Sequence, residues 1–541
     1  FLEDTVVTEL KVEDGKIKKF QKTAIDKENV LNSILLALKK IVKDIKKSRL
    51  ERIVLSTTVT TNAMVQSKNQ SVGVIVEPGP GRKLDINDNK LIPYYIDGYI
   101  DHRGRERSVL DQNQLENIKQ EFLDKGLKYG AVVSKFSVRN PEHEKQITDK
   151  FKHITEYLTE GHTVSGELNF PSRINTTFLN SSIYKRYSEF VNSVNRVLDE
   201  LNVESPVYVL KADGGSMLLD KSVNCPVETI LSGPAASIMG AKFFSDDQDL
   251  AVFDIGGTTT DISFFADGIP LYERKGATIG KYKTLVKGIY SRSIGIGGDS
   301  QVYLENGKLK IGPESVKPAC FNGQGPTPTD AICVLRNISQ GNKENAIKAV
   351  TPLSSKLGLD VKEVSQKIID NMAKTIINNY HKYLDQINSQ PVYTIHDLLH
   401  GKKITPEKLI IIGGPAAAIE DYIKNNVNLQ TYVPDYYQVT NSLGAALSRV
   451  TAEMTITVDT SRGYLLWGDD DQRKDLDGSF NLEKAKNLLF ERLLEKAKNL
   501  GFSGDKEDLY IAEEEKFNIV RRFNTKGQFV RIKARVKPGI M

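Results

Sequence analysis

The sequence has little of what exported, membrane-spanning or zinc-binding proteins need. It contains three cysteines in 541 residues, an odd number that is too widely spaced for a disulfide framework or a zinc knuckle. No run of about 18 consecutive apolar residues is present, which argues against a membrane-spanning helix. The first residues, FLED, lack the basic start and apolar stretch of a signal peptide. These absences predict a cytoplasmic protein that has no membrane partner.

An excess of charge of one sign is also absent. The 74 basic and 69 acidic side chains leave a formal net charge of +5, and lysines and glutamates are interspersed instead of forming a basic patch, which argues against a nucleic-acid partner. Hydrophobic residues make up 39% and charged residues 26% of the chain. These ordinary values exclude a disordered chain, a collagen or a coiled coil. The length predicts two or three domains.

Short apolar strands alternate with helical patterns along most of the chain, which predicts an α/β protein. The predicted strands are residues 5–12, 16–23, 52–55, 71–76, 131–134, 207–211, 250–253, 262–265 and 409–412. The predicted helices are residues 28–45, 112–125, 361–383, 442–453 and 481–500. From this pattern we predict one domain over residues 1–180, a second over residues 181–460 and a small C-terminal α+β unit over residues 461–541.

A last predicted strand, residues 530–536, alternates apolar and basic residues. Arg531, Lys533 and Arg535 therefore share one face of a half-buried strand. We expect that face to be solvated, and a face that binds phosphate or a partner is the alternative.

The strongest chemical signal is the segment DIGGTTTD at residues 254–261, which lies between two apolar strands. Two glycines let backbone N–H groups approach a phosphate without a Cβ in the way, three threonine hydroxyls can donate to its oxygens, and two acids flank the turn. These residues are Gly256 and Gly257, Thr258, Thr259 and Thr260, and Asp254 and Asp261. Asp254 can also hold a hydrated magnesium ion. A phosphate-binding hairpin is expected, and a plain β-hairpin is the alternative.

Two further glycine-rich turns follow. The apolar strand at residues 409–412 runs into Gly413 and Gly414, where small residues leave room for a flat ring against the backbone; a routine strand-to-helix turn is the alternative. The segment GIGGDS contains Gly297 and Gly298, and its spacing does not match the dinucleotide-binding fingerprint. Contact of this turn with phosphate or substrate is one interpretation, and a purely structural turn is the alternative.

Asp213 lies in KADGGS, at the end of a predicted strand. A carboxylate there can act on the substrate or magnesium side of a cleft, and a turn-forming role is the alternative. Cys320 is expected to be buried and inert, because a thiol nucleophile needs a base close in space. His102 and His143 are expected to be hydrogen-bonded structural residues more than ligands.

Several stretches together carry a resemblance. Residues 254–261 resemble the second phosphate loop of the actin, hexokinase and sugar-kinase superfamily, and residues 409–416 resemble its adenosine loop. Within that superfamily the chain resembles the hydantoinase A/oxoprolinase family. The matching stretches, in the family's order, are STTVTTNA (56–63), GYIDHRGR (98–105), RNPEHE (139–144), SGPAAS (232–237), and GPES through PTPTDA (312–331).

The resemblance implies two actin-like (ribonuclease H-like) domains around a nucleotide cleft, with the small C-terminal unit attached. It implies ATP and Mg²⁺ as cofactors, with Asp254 on the metal. Together with the motif analysis above, it makes Asp254, Asp261 and Asp213 the candidate catalytic residues. The implied nucleotide contacts are Gly256, Gly257, Thr258, Thr259, Thr260, Gly413, Gly414, Gly297 and Gly298.

The activity implied by the resemblance is the ATP-dependent hydrolysis of a cyclic amide, such as a hydantoin or oxoproline. An amide carbonyl is a poor electrophile, and phosphorylation of its oxygen activates it, with catalysis mainly by positioning and charge neutralisation. The resemblance equally allows the chain to be the ATP-using subunit of such an enzyme, with a hydantoinase B-type subunit as its partner. Whether several copies of the chain assemble into a homo-oligomer is left open. The ATP-using subunit of a ketone carboxylase and a non-enzymatic ATP-gated switch are the alternatives.

Two features depart from the family's pattern. Its members carry a first phosphate loop of the Asp-Gly-Gly-Thr type shortly before the strand that corresponds to residues 5–12. That loop is expected either upstream of Phe1 or lost, and its loss would remove one of two phosphate contacts. Leu55 and Ser56 replace the usual His-Gly before Thr-Thr, which reduces an expected polar group to a hydroxyl.

Overall fold

A computed structural model provides the coordinates of the chain. The described residues are 6–13, 16–24, 36, 39–40, 50–57, 59–65, 69–81, 88–245, 249–336, 341–389, 403–468, 473–476, 481–521 and 524–540. The helix predicted over residues 28–45 lies outside them, apart from the helical residues 36 and 39–40. Within the described ranges, no helix combines the length and apolar character needed to cross a bilayer.

The strands follow the chain in numerical order. They are β1 (Val6–Glu13), β2 (Lys16–Ala24), β3 (Ile53–Leu55), β4 (Val72–Glu77), β5 (Leu91–Tyr95), β6 (Tyr99–Ile100), β7 (Glu106–Ser108), β8 (Tyr129–Ser134), β9 (Tyr157–Glu160), β10 (Val207–Leu210), β11 (Ser216–Leu218), β12 (Leu250–Ile255), β13 (Thr260–Ala266), β14 (Ile269–Pro270), β15 (Thr278–Ile279), β16 (Tyr282–Lys283), β17 (Ser291–Ile294), β18 (Ser300–Glu305), β19 (Lys308–Ser315), β20 (Lys408–Ile412), β21 (Gln430–Tyr432), β22 (Glu453–Asp459), β23 (Tyr464–Trp467), β24 (Arg473–Asp475), β25 (Leu509–Arg521) and β26 (Asn524–Val536).

The helices are numbered in the same way. They are α1 (Val59–Val65), α2 (Gln112–Asp124), α3 (Glu142–Phe151), α4 (Gly161–Val164), α5 (Phe170–Glu200), α6 (Leu219–Ser222), α7 (Ser232–Lys242), α8 (Pro328–Leu335), α9 (Lys343–Leu357), α10 (Val361–Asn388), α11 (Ala416–Asn426), α12 (Thr440–Leu447) and α13 (Leu482–Asn499). The mixed α/β architecture predicted from the alternation of apolar patterns is therefore confirmed.

The predicted C-terminal end of one helix is wrong. The helix expected over residues 442–453 is α12, which stops at Leu447, and the next strand already begins at Glu453. The chain between them is extended because it pairs with β11: the N–H of Ser216 donates to the Arg449 carbonyl (2.8 Å), and the N–H of Thr451 donates to the Ser216 carbonyl (3.3 Å). Pairing with a distant strand ends the helix, and a helical pattern read locally does not contain this information.

The first half of the chain contains a four-stranded parallel sheet in the order β5-β4-β8-β9. Every residue of β4 and β8 is buried, as expected for strands covered by helices on both faces. Ile75 packs with Phe122 of α2, whereas Val74 and Val76 pack with Phe178 of α5. Alternate residues of one strand thus serve two different helix layers. A neighbouring small sheet pairs β10 with β3 in parallel and with β11 in antiparallel orientation.

The second half is built on a sheet in the order β14-β13-β12-β20-β21, with β17 also paired to β13. β12 and β13 are antiparallel, whereas β20 and β21 run parallel to β12. Phe253 packs toward α10, and Val252 packs toward α7. Because side chains alternate along a strand, Asp254 lies on the α7 face.

The C-terminal residues form an antiparallel sheet in the order β24-β23-β22-β26-β25. Its apolar face, which includes Ile456 and Ile532, packs on Leu489 and Leu493 of α13. β22 belongs to this sheet although it precedes the boundary predicted after residue 460. The division into three domains, with boundaries after residues 180 and 460, remains a prediction.

The expectation that the basic face of β26 is solvated is wrong. Lys533 is 5% exposed. It forms ion pairs with Glu167 and, at 3.4 Å, with Glu513. Arg535 Nε lies 2.9 Å from Glu453 Oε2. Glu453 and Glu513 are the direct cross-strand neighbours of Arg535 and Lys533 in the flanking strands, so the sheet register itself supplies the counter-charges.

Helices α7 and α12 cross at a point where both carry glycine. A Cβ built on Gly240 would lie 1.9 Å from the Thr440 carbonyl oxygen, and one built on Gly444 would lie 1.9 Å from the Ala236 carbonyl oxygen. The two backbones are thus in direct contact, and any side chain would force them apart.

We predict that Gly444→Ala lowers the free energy of unfolding by about 1–3 kcal/mol, because overpacking of a close contact has this cost. The matched control is Gly233→Ala in α7, where a Cβ would meet no atom within 4 Å. It is expected to be neutral or slightly stabilising, since alanine favours helix. Urea unfolding of both variants checks the prediction, and equal effects would contradict the close crossing.

Candidate functional site

A cavity of about 190 Å³ lies at the carboxyl ends of β12 and β20. Four parts of the chain line it: the β12–β13 turn, the turn after β20, and the first turns of α7 and α12 with the residues before α12. The lining residues are Gly233, Pro234, Ser237, Asp254, Gly256, Gly257, Thr258, Thr259, Asp261, Ile412, Gly413, Tyr437, Gln438, Thr440 and Asn441.

The β12–β13 turn presents two carboxylates side by side. Asp254 and Asp261 are direct cross-strand partners in the antiparallel pair, so their side chains lie on the same face of the sheet. Between them, the N–H of Gly256 donates to the Thr259 carbonyl at 2.9 Å and closes the turn. The predicted hairpin thus places both acids at one cavity.

The predicted glycine turn at residues 295–300 supports this hairpin from behind. The N–H of Gly298 donates to the Gly256 carbonyl (2.9 Å), and the N–H of Asp299 donates to the Gly257 carbonyl (2.6 Å). A Cβ on Gly297 would lie 2.4 Å from the Gly257 carbonyl oxygen. Both carbonyls of the glycine pair are therefore engaged on the side of the supporting turn, which fixes the turn's orientation.

The pKa of Asp261 is raised to about 6 by burial, with the neighbouring charge of Asp254 as the second cause and a hydrogen bond with Ser293 acting in the opposite direction. Two acids that share a buried site repel each other when both are ionised. The site therefore favours a cation or a proton between these strands.

Gly413 directly follows β20 and packs against the end of β12, next to the Asp254 carboxylate. Its φ is +91°, a conformation that glycine adopts without strain. A Cβ on it would lie 2.2 Å from the Ile255 carbonyl oxygen and 2.9 Å from Asp254 Oδ1. Glycine is required here both by its backbone angle and by the nearby carboxylate.

Two helices begin at the cavity. Gly233, Pro234 and Ser237 lie in the first turns of α7, and Thr440 and Asn441 are the first residues of α12. The unpaired N–H groups and the dipole at a helix N-terminus favour anions. The cavity thus combines two acids, which attract a cation, with two helix ends, which attract an anion.

The remaining predicted site residues lie outside the cavity lining. Thr260 is fully buried, and its hydroxyl donates to the Ile296 carbonyl at 2.7 Å. Gly414 is buried beside Gly413, while Gly297 and Gly298 form the supporting turn. Asp213 is buried elsewhere: its Oδ2 accepts from Thr451 Oγ1 at 2.8 Å, and its Oδ1 accepts from the Gly215 N–H at 2.9 Å.

Other predictions concern single residues. Cys320 is buried, as predicted. His143 is also buried, with Nδ1 at 2.8 Å from Glu77 and Nε2 at 2.9 Å from Glu106. It is a hydrogen-bonded residue between two carboxylates.

Some lining residues were not among the predicted site residues. Gly233, Pro234 and Ser237 belong to the SGPAAS stretch, whose resemblance could have indicated them. Tyr437, Gln438 and Asn441 carry no such signal, because they are ordinary polar residues outside any glycine-rich turn. They reach the cavity through the path of the chain from β21 into α12.

The cavity suits a magnesium ion that is bound together with phosphate. Among the described residues, no group of three or more His, Cys, Asp or Glu side chains could enclose a metal ion. Magnesium bound to nucleotides is commonly held by one or two carboxylates, phosphate oxygens and water. Asp254 and Asp261 match this donor set, and a divalent cation would relieve their mutual repulsion.

Comparison with known proteins finds a protein family whose sequence models match this chain. A sequence model described as hydantoinase/oxoprolinase matches residues 173–454, and one described as hydantoinase/oxoprolinase N-terminal region matches residues 4–155. The caprolactamase subunit alpha of Pseudomonas jessenii is 25% identical over 356 residues, 58% of this chain and 51% of that protein. The acetophenone carboxylase gamma subunit of Aromatoleum aromaticum is 24% identical over 391 residues, 62% of this chain and 53% of that protein. The chain thus spans about half the length of these two relatives.

A solved structure shares the fold over nearly the whole chain. The ATP-dependent caprolactamase from Pseudomonas jessenii aligns with a TM-score of 0.71 at 18% identity, and the alignment covers 98% of this chain and 86% of that chain. At this identity the likeness concerns the fold alone. It confirms the predicted fold class.

We predict that Gly413→Ala lowers the free energy of unfolding by at least about 2 kcal/mol, because the new Cβ adds a backbone clash to an unfavourable φ. Gly463→Ala is the matched control: its φ is +68°, and a Cβ there meets no atom within 4 Å. The control should show only the backbone cost of about 1–2 kcal/mol. Equal losses in chemical denaturation would refute the clash with Ile255 and Asp254.

The raised pKa of Asp261 predicts a specific pH dependence of stability. The folded state holds this proton more tightly than the unfolded state, so the carboxyl's contribution to the unfolding free energy falls as pH rises from about 4 to about 6. In metal-free buffer, Asp261→Asn should gain stability relative to wild type over that interval. Asp435→Asn, at an exposed position, is the control. A constant difference between Asp261→Asn and wild type at pH 4.5 and pH 7 would contradict the prediction.

Proposed function

The chain belongs to the hydantoinase/oxoprolinase family, and from this premise we propose that it binds magnesium-ATP in the cavity at β12 and β20 and uses it to open a cyclic amide. It does so either alone or as the ATP-using subunit of a larger enzyme with a second, hydantoinase B-type subunit. The observation that carries the proposal is the pair Asp254 and Asp261 on either side of a glycine turn, facing two helix N-termini.

Each part of the cavity has a role in this proposal. Asp254 and Asp261 would hold the hydrated magnesium ion, which neutralises charge on the phosphate oxygens when bound. Gly256, Gly257 and the hydroxyls of Thr258 and Thr259 would contact the phosphates. The turn at Gly413, with Tyr437 and Gln438 beside it, would receive the nucleoside.

The proposed reaction has a defined balance. The amide oxygen attacks the γ-phosphorus of ATP, and the bond to the ADP oxygen breaks. Water adds to the activated carbonyl carbon, and the ring C–N bond breaks as the nitrogen takes a proton. Hydrolysis of the remaining acyl phosphate releases phosphate. The net reaction consumes ATP and two water molecules and yields ADP, phosphate and a ring-opened amino acid.

A second candidate is the ATP-using subunit of a ketone carboxylase. It is favoured by the similarity to an acetophenone carboxylase gamma subunit. The same phosphoryl transfer would then act on a different carbonyl. ADP release that requires bicarbonate and a ketone would favour this candidate, whereas stimulation by hydantoin or oxoproline favours the amide hydrolase.

We predict that Asp254→Asn weakens magnesium-ATP binding at least about tenfold and changes the melting temperature little. The reason is that the amide keeps the shape of the side chain but removes the charge that the metal needs. Isothermal titration calorimetry of wild type, Asp254→Asn and the exposed control Asp435→Asn measures this. Unchanged binding in Asp254→Asn, or equal losses in both variants, would refute the cavity as the nucleotide site.

A further inference from the structure

The stretch PTPTDA at residues 326–331 carries part of the family resemblance, yet none of its residues lines the nucleotide cavity. It forms the start of α8. Thr327 caps this helix, because its hydroxyl oxygen accepts from the N–H of Asp330 at 3.2 Å. Any effect of the stretch on the cavity therefore passes through residues that lie between the two.

The carboxylate of Asp330 fixes the conformation of this stretch. It is fully buried. Its Oδ1 accepts from the N–H of Cys320 at 2.7 Å, and its Oδ2 accepts from the N–H of Ala319 at 3.1 Å. Oδ2 also accepts from the N–H and the hydroxyl of Thr327, both at 3.0 Å. A buried carboxylate is unfavourable without donors, and these four groups engage both of its oxygens.

Thr329 joins the start of α8 to the glycine turn that supports the phosphate hairpin. Its N–H donates to the Gly298 carbonyl at 2.7 Å, and its hydroxyl donates to Asp299 Oδ1 at 3.1 Å. Both side chains are buried, and a hydrogen bond to a carboxylate is stronger than one between neutral groups. Thr329 therefore contacts the supporting turn through two hydrogen bonds.

The supporting turn determines which way the peptide groups of the hairpin point. The N–H groups of Gly298 and Asp299 donate to the carbonyls of Gly256 and Gly257. In a trans peptide unit the carbonyl and the next N–H point in opposite directions. The N–H groups of Gly257 and Thr258 are therefore directed away from the supporting turn, on the side where both residues line the cavity. Rotation of either peptide unit would present a carbonyl oxygen to a phosphate instead of a donor.

Helix α8 also reaches the other glycine-rich turn of the cavity. A Cβ on Gly298 would lie 3.0 Å from Cγ of Pro415, which follows Gly413 and Gly414. At the far end of α8, Arg336 Nη1 donates to the Ala417 carbonyl of α11 at 2.8 Å. Contacts on both sides of the cavity thus fix the position of α8 and of its first turn.

We propose that Thr329 is a positioning residue of the nucleotide cavity, which keeps the peptide groups of Gly256 and Gly257 oriented for phosphate. The inference rests on the proposed function, because the phosphates of magnesium-ATP are its ligand. Thr329 acts through the turn at residues 297–299 and not by contact with the nucleotide. Loss of its hydroxyl would leave the fold intact but release one of two bonds to this turn, and a site that is held less firmly binds more weakly.

The test is a double-mutant cycle on magnesium-ATP affinity, measured by calorimetry on the full chain. Thr329→Val keeps the shape of the side chain and removes the donor, and Asp299→Ala removes the acceptor. Each is expected to weaken binding at least about fivefold. The double variant should bind no more weakly than the weaker single variant, because both changes break the same hydrogen bond. Thr329→Ser keeps the hydroxyl and should bind within about twofold of wild type.

Thr177→Val is the matched control. Thr177 is as fully buried as Thr329, and its hydroxyl donates to the Arg173 carbonyl at 2.7 Å within α5. The control should lower the melting temperature about as much as Thr329→Val does and leave magnesium-ATP affinity within about twofold. Near-UV circular dichroism establishes that the variants are folded at the temperature of the titration. If Thr329→Val fails to fold, Asp299→Ala and Thr329→Ser decide the question against the same control.

The outcomes separate this inference from the proposed function. Wild-type affinity in Thr329→Val, or an equal loss in Thr177→Val, would overturn the inference, and so would additive losses in the cycle. Each of these results leaves the proposed function standing if Asp254→Asn still weakens binding. Absence of magnesium-ATP binding by the wild-type chain would instead refute the proposed function at its nucleotide site.

Discussion

The close crossing of α7 and α12 is the constraint on which the rest of the molecule depends. α7 leads from the first half of the chain into β12, and α12 leads from β21 toward β22, so the crossing fixes the two chain segments that enter the central and C-terminal sheets. Their backbones touch at Gly240 and Gly444. Because the first turns of both helices also line the cavity, the crossing determines how far apart the two anion-attracting helix ends lie.

Buried ion pairs are the second organising feature of the fold. The C-terminal sheet turns its apolar face to α13 and its charged face toward the first half of the chain, where Glu167 pairs with Lys533 across 366 residues of sequence. Burial of so many charges is unfavourable unless each finds a partner. Most of them find a carboxylate, whereas the ammonium of Lys287 lies over the Tyr272 ring, 4.0 Å from its centroid.

Local pattern predicted much of the fold and part of the site. The apolar runs before Asp254 and Gly413 predicted β12 and β20, and the spacing of two acids around two glycines predicted the hairpin. The pattern did not predict the end of α12, because strand pairing with Ser216 overrides a helical preference there. It also misjudged the basic face of β26, since alternation predicts a half-buried strand without saying what covers its other face.

The sequence by itself determined the α/β class, several of the strands and helices, and the family, because periodicity, glycine turns and motif order act over a few residues or are read directly from the chain. The tertiary structure decided which of the predicted residues meet. It placed Asp254, Asp261 and Gly413 at one cavity and Gly297 and Gly298 behind it. It buried Asp213 elsewhere, where its carboxylate accepts from Thr451 and Gly215. The physical reason is that the solvation, partners and pKa of a side chain depend on groups from distant segments, which only the folded chain brings together.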